Sequence, residues 1–146
     1  MSRILIFAVF LIPGWLSAQE IPRRIKDVAT VNLFQAKQLY DKGAVFVDIR
    51  PTPEWSWGHV HGAVHLDFYD EFGNLEEKRW PRDVPLVIYC DSDLCENGAA
   101  AAGLAATWGY RHVYYFRDGY FAWQLADLPQ GKGMAGELVS LSAQVR

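Results

Sequence analysis

Leu86-Val87-Ile88-Tyr89 is an unbroken apolar run that stops at Cys90, and beyond the short loop Asp91 to Cys95 the chain becomes alanine-rich from Asn97 to Trp108. Four apolar residues without a polar break suit a strand covered on both faces. Alanine is the best helix former, and Gly109 supplies a stop. A strand buried on both faces needs neighbouring strands beside it and helices above and below. This segment therefore predicts an α/β architecture with a central, mostly parallel sheet and helices on both faces.

The same pattern recurs on either side. Asn32 has the chemistry of a helix N-cap with Gln35 as its reciprocal partner, Phe34, Leu39 and Tyr40 offer an apolar face, and Gly43 closes the turn. Ala44-Val45-Phe46-Val47, ending in Asp48, predicts a second buried strand. Pro53 opens a helical turn through Trp57, Gly58 to Gly62 turns the chain, and Ala63 to Leu66 is extended. Asp67 to Pro85 reads as surface connection with one helical turn. Further on, His112 to Tyr115 predicts a strand, Asp118-Gly119 a turn, and Tyr120 to Leu125 a helix ending before Pro129.

A chain of 146 residues fits one domain. Its first eighteen residues predict a signal peptide: Arg3 is a short positive region, Ile4 to Ile12 is apolar, and Pro13-Gly14 precedes a cleavage site after Ala18. The apolar run is about half of the roughly 20 residues that cross a bilayer, and no cysteine lies near the cleavage site to carry a lipid. An exported protein without a stable membrane anchor after processing is expected. Residues 19–29 are polar and aperiodic, as in an N-terminal arm; the domain is expected over 30–130. Residues 131–146 read as a C-terminal tail, with Gly131, Gly133 and Gly136 diluting any pattern before a weak element over Glu137 to Val145. The net charge of -3 and scattered bases leave no footprint for nucleic acid, which is not an expected partner.

The chain has two cysteines, Cys90 and Cys95. In an oxidising compartment their spacing has two readings, a structural disulfide closing a small loop, or a reactive thiol with a neighbour able to resolve it. Cys90 stands at the carboxyl end of a predicted strand, where parallel sheets bind ligands. The unsatisfied N–H groups and positive dipole end of the following helix favour a thiolate there. A small buried apolar residue is the alternative for Cys90.

Four segments in order carry a family resemblance: Val47-Asp48-Ile49-Arg50; Glu54-Trp55-Ser56-Trp57-Gly58-His59-Val60-His61-Gly62-Ala63; Val87-Ile88-Tyr89-Cys90; and Asp118-Gly119-Tyr120-Phe121-Ala122-Trp123 with Leu128-Pro129. Through them the chain resembles the rhodanese-like domain (sulfurtransferase) family over nearly all of its mature length. The resemblance implies the family's three-layer fold and no cofactor. It also implies that Cys90 takes sulfur from a small sulfane-sulfur donor, holds it as a persulfide and passes it to a thiol or other nucleophilic acceptor. Backbone N–H groups of the loop Asp91, Ser92, Asp93, Leu94 and Cys95 would cradle that anion. Asp48 and Arg50 match positions at the rim of the family's site, with a structural ion pair as the competing reading. A protein partner or reductant is a further expectation, and the resemblance points to the bacterial periplasm.

Two positions depart from the family pattern. Where active members usually have Gly, this chain has Asp93; where a basic residue is frequent, it has Cys95. Asp91, Asp93 and Glu96 thus put acids around a centre that must become negative. A like charge about 4 Å away is worth roughly 4 kcal/mol at an effective dielectric near 20, against about 0.3–1 kcal/mol from a helix dipole. Thiosulfate, a dianion, is for that reason a poor candidate donor. If Cys95 reaches Cys90, the alternative is a non-catalytic binding or redox module closed by a Cys90–Cys95 disulfide. A cysteine phosphatase would need Arg six residues after Cys90, where Glu96 stands, and no Cys-x-x-Cys spacing supports a thioredoxin-like motif. His59, His61 and His65 are spaced as possible ligands, but no metal is predicted, since the resemblance accounts for His59 as a loop residue. The aromatic group Trp108, Tyr110, Tyr114, Tyr115, Phe116, Tyr120, Phe121 and Trp123 is expected mostly in the core.

Overall fold

The computed structural model describes residues 24–77 and 81–133. The expected signal peptide, residues 19–23 of the arm and the element over Glu137 to Val145 lie outside the described residues.

Strands β1 (Val28–Val31), β2 (Val45–Asp48), β4 (Val64–His65), β5 (Leu86–Tyr89) and β6 (Val113–Phe116) form one sheet in the order β1-β6-β5-β2-β4, every pair parallel. Strands β3 (His59–Val60) and β7 (Gln130–Gly131) make a small antiparallel pair beside it. Helices α1 (Leu33–Asp41), α2 (Thr52–Trp57), α3 (Glu96–Thr107) and α4 (Gly119–Leu125) complete the fold, with one 3-10 turn at Phe72–Glu76. Among the described residues no helix is long and apolar enough to cross a membrane.

The period-two alternation of strands sorts the core into two layers. Val45, Val47, Leu86, Ile88 and Cys90 face the alanines of α3 together with Phe72 and Leu75 of the 3-10 turn. Phe46, Val87, Tyr89 and Phe116 face the opposite way, against Ala36 of α1 and Tyr120 and Trp123 of α4. That second layer is aromatic: the Trp123 ring lies 5.4 Å from Phe46 and 5.2 Å from Tyr40, centroid to centroid. Each large side chain taken fully from water contributes roughly 1.5–3 kcal/mol. The small alanines of α3 let its backbone approach the sheet closely, which brings the start of the helix over the end of β5.

Several expectations need correction. The domain begins two residues before the expected residue 30, because Val28–Val31 pairs with β6 in register from Val28↔Val113 to Val31↔Phe116. An edge strand with one solvent-facing side carries little apolar pattern, so it escapes periodicity. The capping box Asn32–Gln35 forms as expected, but it sets the phase of α1 so that Leu33, Ala36, Leu39 and Tyr40 turn inward while Phe34 is 71% exposed. The expected tail also begins later, since Gly131 is part of β7. A Cβ at Gly131 would sit 2.5 Å from Nε2 of His59, so glycine lets this strand close over the imidazole.

Candidate active site

Cys90 follows the last residue of β5 and shares the parity of Leu86 and Ile88, so its side chain enters the α3 layer, where it is 7% exposed. The loop beyond it turns so that Cys95 becomes the N-cap residue of α3, and its sulfur is bonded to that of Cys90 with the two Cα atoms 6.2 Å apart. Cys95 is half-buried. No side chain caps α3, so the positive end of this helix is aimed at the disulfide.

The loop is held from both ends. From α4, the Tyr120 N–H donates to the Cys90 carbonyl and the Phe121 N–H to the Asp91 carbonyl, each at 2.9 Å. This contact needs Gly119, whose φ is +70° and where a Cβ would lie 2.6 Å from the Asp91 carbonyl carbon and oxygen. Within the loop, Cys95 N–H donates to the Ser92 carbonyl at 3.2 Å and Leu94 N–H to Ser92 Oγ at 3.4 Å, while Ser92 Oγ donates to Asp91 Oδ1 at 3.1 Å. With the disulfide closed, these two N–H groups are turned to Ser92 rather than toward a bound anion.

The Asp91 carboxylate, Cys90 sulfur and Cys95 sulfur all lie within 4.8 Å of one another. This trio has the residue types of a metal site, but paired sulfurs offer no thiolate to ligate a cation. At 4.8 Å a carboxylate opposes a thiolate by roughly 3 kcal/mol at an effective dielectric near 20, less where water and salt reach it. Asp93 and Glu96 stand exposed at the surface.

Asp48 and Arg50 lie at the end of β2, one strand over. Both are buried, at 0% and 2% exposure. Arg50 donates from Nε and Nη2 to the Asp48 carboxylate, with Nη2 to Oδ2 at 2.6 Å, and Nη2 also donates to the Gly58 carbonyl at 2.7 Å. The guanidinium carbon lies 4.2 Å from the centroid of the Tyr120 ring. Burial works against the Arg50 charge, but hydrogen bonding to Asp48 and the charge of that carboxylate outweigh it and hold the guanidinium pKa above its ordinary value. The pair braces β2, α2 and α4 around the base of the site.

Beside the loop a cavity of about 370 Å³ is lined by Arg50, Glu54, Trp57, Asp91, Tyr120, Phe121 and Gln124. That volume is in the range that holds small molecules. Of these residues, Gln124 carries no recognisable signal in the sequence, and Glu54 and Trp57 are visible only as members of a family motif; α2 and α4 bring all three to the loop. Tyr120 and Phe121 are visible there as members of an aromatic group, yet only the fold separates buried Tyr120 from Phe121, which is 55% exposed. The three histidines do not converge on an ion: the His59 Nδ1–H donates to the Trp55 carbonyl at 2.9 Å, His65 Nε2–H to the Arg50 carbonyl at 2.7 Å, and His61 is exposed.

Residues 33–126, which hold every strand of the sheet but β1 and the cysteine loop between β5 and α3, match the rhodanese-like domain family. The chain belongs to the rhodanese-like domain family. Its relatives include the thiosulfate sulfurtransferase GlpE of Ectopseudomonas mendocina, 31% identical over 90 residues that make up 62% of this chain and 79% of the relative. The HTH-type transcriptional regulator Rv0324 of Mycobacterium tuberculosis is 34% identical over 87 residues, 60% of this chain but only 37% of the regulator. Among solved structures, the Alr3790 protein of Anabaena superposes with a TM-score of 0.62 at 19% identity, covering 72% of this chain and 94% of that one. The rhodanese-like loop of this chain is the segment Cys90 to Cys95, and its disulfide is the feature on which a functional reading turns.

Proposed function

We propose that this protein is an exported sulfurtransferase in which the Cys90 thiolate, once the disulfide is open, accepts sulfur and hands it on. The observation that carries the proposal is the position of Cys90 at the carboxyl end of β5, under the uncapped start of α3 and next to the 370 Å³ cavity. The sulfurtransferase activity of the GlpE relatives supports the same reading. Cys90 S⁻ attacks the outer sulfur of a sulfane donor; the donor's bond to that sulfur breaks, its electron pair leaves with the donor remnant, and Cys90 retains a persulfide anion. An acceptor thiolate then attacks the terminal sulfur and returns Cys90 to the thiolate. The cavity admits the acceptor, and Glu54 and Asp91 in its wall disfavour dianionic donors. We place the reaction in the bacterial periplasm, where the expected signal peptide would deliver the chain.

Cys95 adds a branch. Its thiolate can attack the inner sulfur of the Cys90 persulfide, expelling hydrosulfide and re-forming the disulfide. A second reading rests on that bond: a closed disulfide under the loop suits a binding or redox module that transfers no sulfur. Turnover separates the two. With reduced protein, a polysulfide donor and a thiol acceptor, Cys90→Ser is expected to abolish transfer at least a hundredfold while far- and near-UV circular dichroism stay unchanged. Cys95→Ser is expected to retain transfer and lose hydrosulfide release in the absence of acceptor. An unchanged rate in Cys90→Ser would leave the binding module as the function.

A further inference from the structure

The two sulfurs of the disulfide are unequal. Cys90 is 7% exposed and packed in the core, whereas Cys95 is half-buried and caps α3 at the surface. An incoming thiolate therefore meets Cys95 first. The sulfur that leaves in that attack is Cys90, and it leaves as a thiolate toward the positive end of α3. Attack at Cys95 thus opens the bridge and delivers Cys90 in the ionised form.

The surface around Cys95 limits which thiols arrive. Seven large hydrophobic side chains stand exposed among the described residues, and four of them, Trp57 (75%), Tyr69 (79%), Leu94 (82%) and Phe121 (55%), lie about the loop. Leu94 is next to Cys95 in sequence. Tyr69 accepts a hydrogen bond from the amide of Asn97, in the first turn of α3, at 3.3 Å, and Trp57 and Phe121 share the cavity wall with Asp91. Clustered exposed apolar groups of this kind mark protein contacts. Asp91, Asp93, Glu96 and Glu54 set acids among them, and the cation at the base, Arg50, is already paired with Asp48. At the Tyr115 hydroxyl the charge of Arg117 is felt against those of three acids, Asp93, Asp118 and Asp91. Small anionic thiols are repelled by this balance.

We infer that the Cys90–Cys95 disulfide is opened through Cys95 by a protein dithiol whose surface is apolar around its cysteines and basic at its edge, seated on the collar Trp57, Tyr69, Leu94 and Phe121. The inference rests on the sulfurtransferase reading for its purpose, because opening is what activates Cys90. One partner thiolate bonds to Cys95 Sγ as the bond to Cys90 breaks. The second partner thiolate then displaces Cys95 from the mixed disulfide. The partner loses two electrons and ends as a disulfide, and Cys90 and Cys95 gain them and end as a dithiol, the partner's two protons being taken up by the released sulfurs through solvent.

The test uses the full mature chain in its oxidised form and two synthetic peptides of sequence Cys-Gly-Pro-Cys, one flanked by Leu and Lys, the other by Leu and Glu. The basic peptide is expected to open the disulfide about tenfold faster than the acidic one in dilute buffer, with the difference collapsing in molar salt. In Tyr69→Ser the basic peptide slows severalfold, while opening by dithiothreitol is unchanged. A Cys-Gly-Pro-Ser version of the basic peptide, which cannot complete the exchange, is expected on Cys95 when the trapped adduct is digested and sequenced by mass. Equal rates for the two peptides, or an adduct on Cys90, would overturn the inference. Sulfur transfer by chemically pre-reduced protein is measured in parallel: transfer there, with either of those results, leaves the enzyme reading standing alone. Opening through Cys95 without transfer removes the enzyme reading and keeps the exchange.

Discussion

The Asp91 carboxylate lies within 4.8 Å of both sulfurs, close enough for its charge to oppose ionisation of a thiol at position 90. Two influences compete there, the start of α3 favouring the thiolate and Asp91 opposing it, and the nearer full charge is the larger of the two. In a Cys95→Ser background, Asp91→Asn is expected to lower the Cys90 thiol pKa by on the order of one unit. The pH dependence of iodoacetamide alkylation measures it; an unmoved pKa would place the carboxylate's field outside the site. The sequence announces these residues individually, since Cys90 at a strand end and the acids after it are plain to read. It does not announce their directions. That Asp91 turns to the sulfurs while Asp93 and Glu96 stay in water follows from the α4 N–H groups that seize the Cys90 and Asp91 carbonyls, and α4 lies almost thirty residues further along the chain.

At the scale of elements, β3 and α2 are joined by a stack in which His59 lies on Trp55 with ring centroids 3.4 Å apart and an interplanar angle of 5°. Burial pushes the His59 pKa below the ordinary imidazole value, and its hydrogen bond to the Trp55 carbonyl only partly offsets this. The unfolded chain therefore takes up a proton at this site before the folded chain does. Stability from neutral His59 is fully present above about pH 6.5 and is lost as pH falls through that value toward the depressed folded pKa. His59→Phe keeps a ring on Trp55 and removes the titration, so urea midpoints at pH 7 and pH 5 should lie closer together in the variant than in the parent. A gap as wide as the parent's would assign the acid sensitivity to other groups. Elements with strong internal signals, β2, β5, α3 and the capped start of α1, were legible from periodicity and capping chemistry. Edge strand β1 and the two-residue strands β3 and β7 were not, because they are defined by pairing with residues far away in sequence.

Across the whole molecule, the disulfide closes a loop of only five residues' separation, tying the end of β5 to the start of the helix that follows it. Chain entropy gives such a short crosslink about 2 kcal/mol of stabilisation, small beside the two apolar layers that flank the sheet. Reduction is thus expected to lower the unfolding free energy by about 2 kcal/mol or less while the near-UV spectrum stays native, measured by urea titration with and without reductant. Loss of the native spectrum on reduction would make the bond a staple of the fold rather than a control on its chemistry. The fold itself was readable because the strand–helix alternation and the family motifs agree; the oxidised state of the site was open in the sequence, since a separation of five positions does not determine where the two Cβ atoms point.

The most direct measurement is intact mass spectrometry on protein that has been reduced, freed of reductant, exposed to polysulfide and alkylated. One additional sulfur, located on Cys90 and present in Cys95→Ser but absent in Cys90→Ser, is the predicted result. A Cys95→Ser protein that takes up no sulfur, or uptake that persists equally with Cys90 replaced, would contradict the assignment of Cys90 as the sulfur carrier.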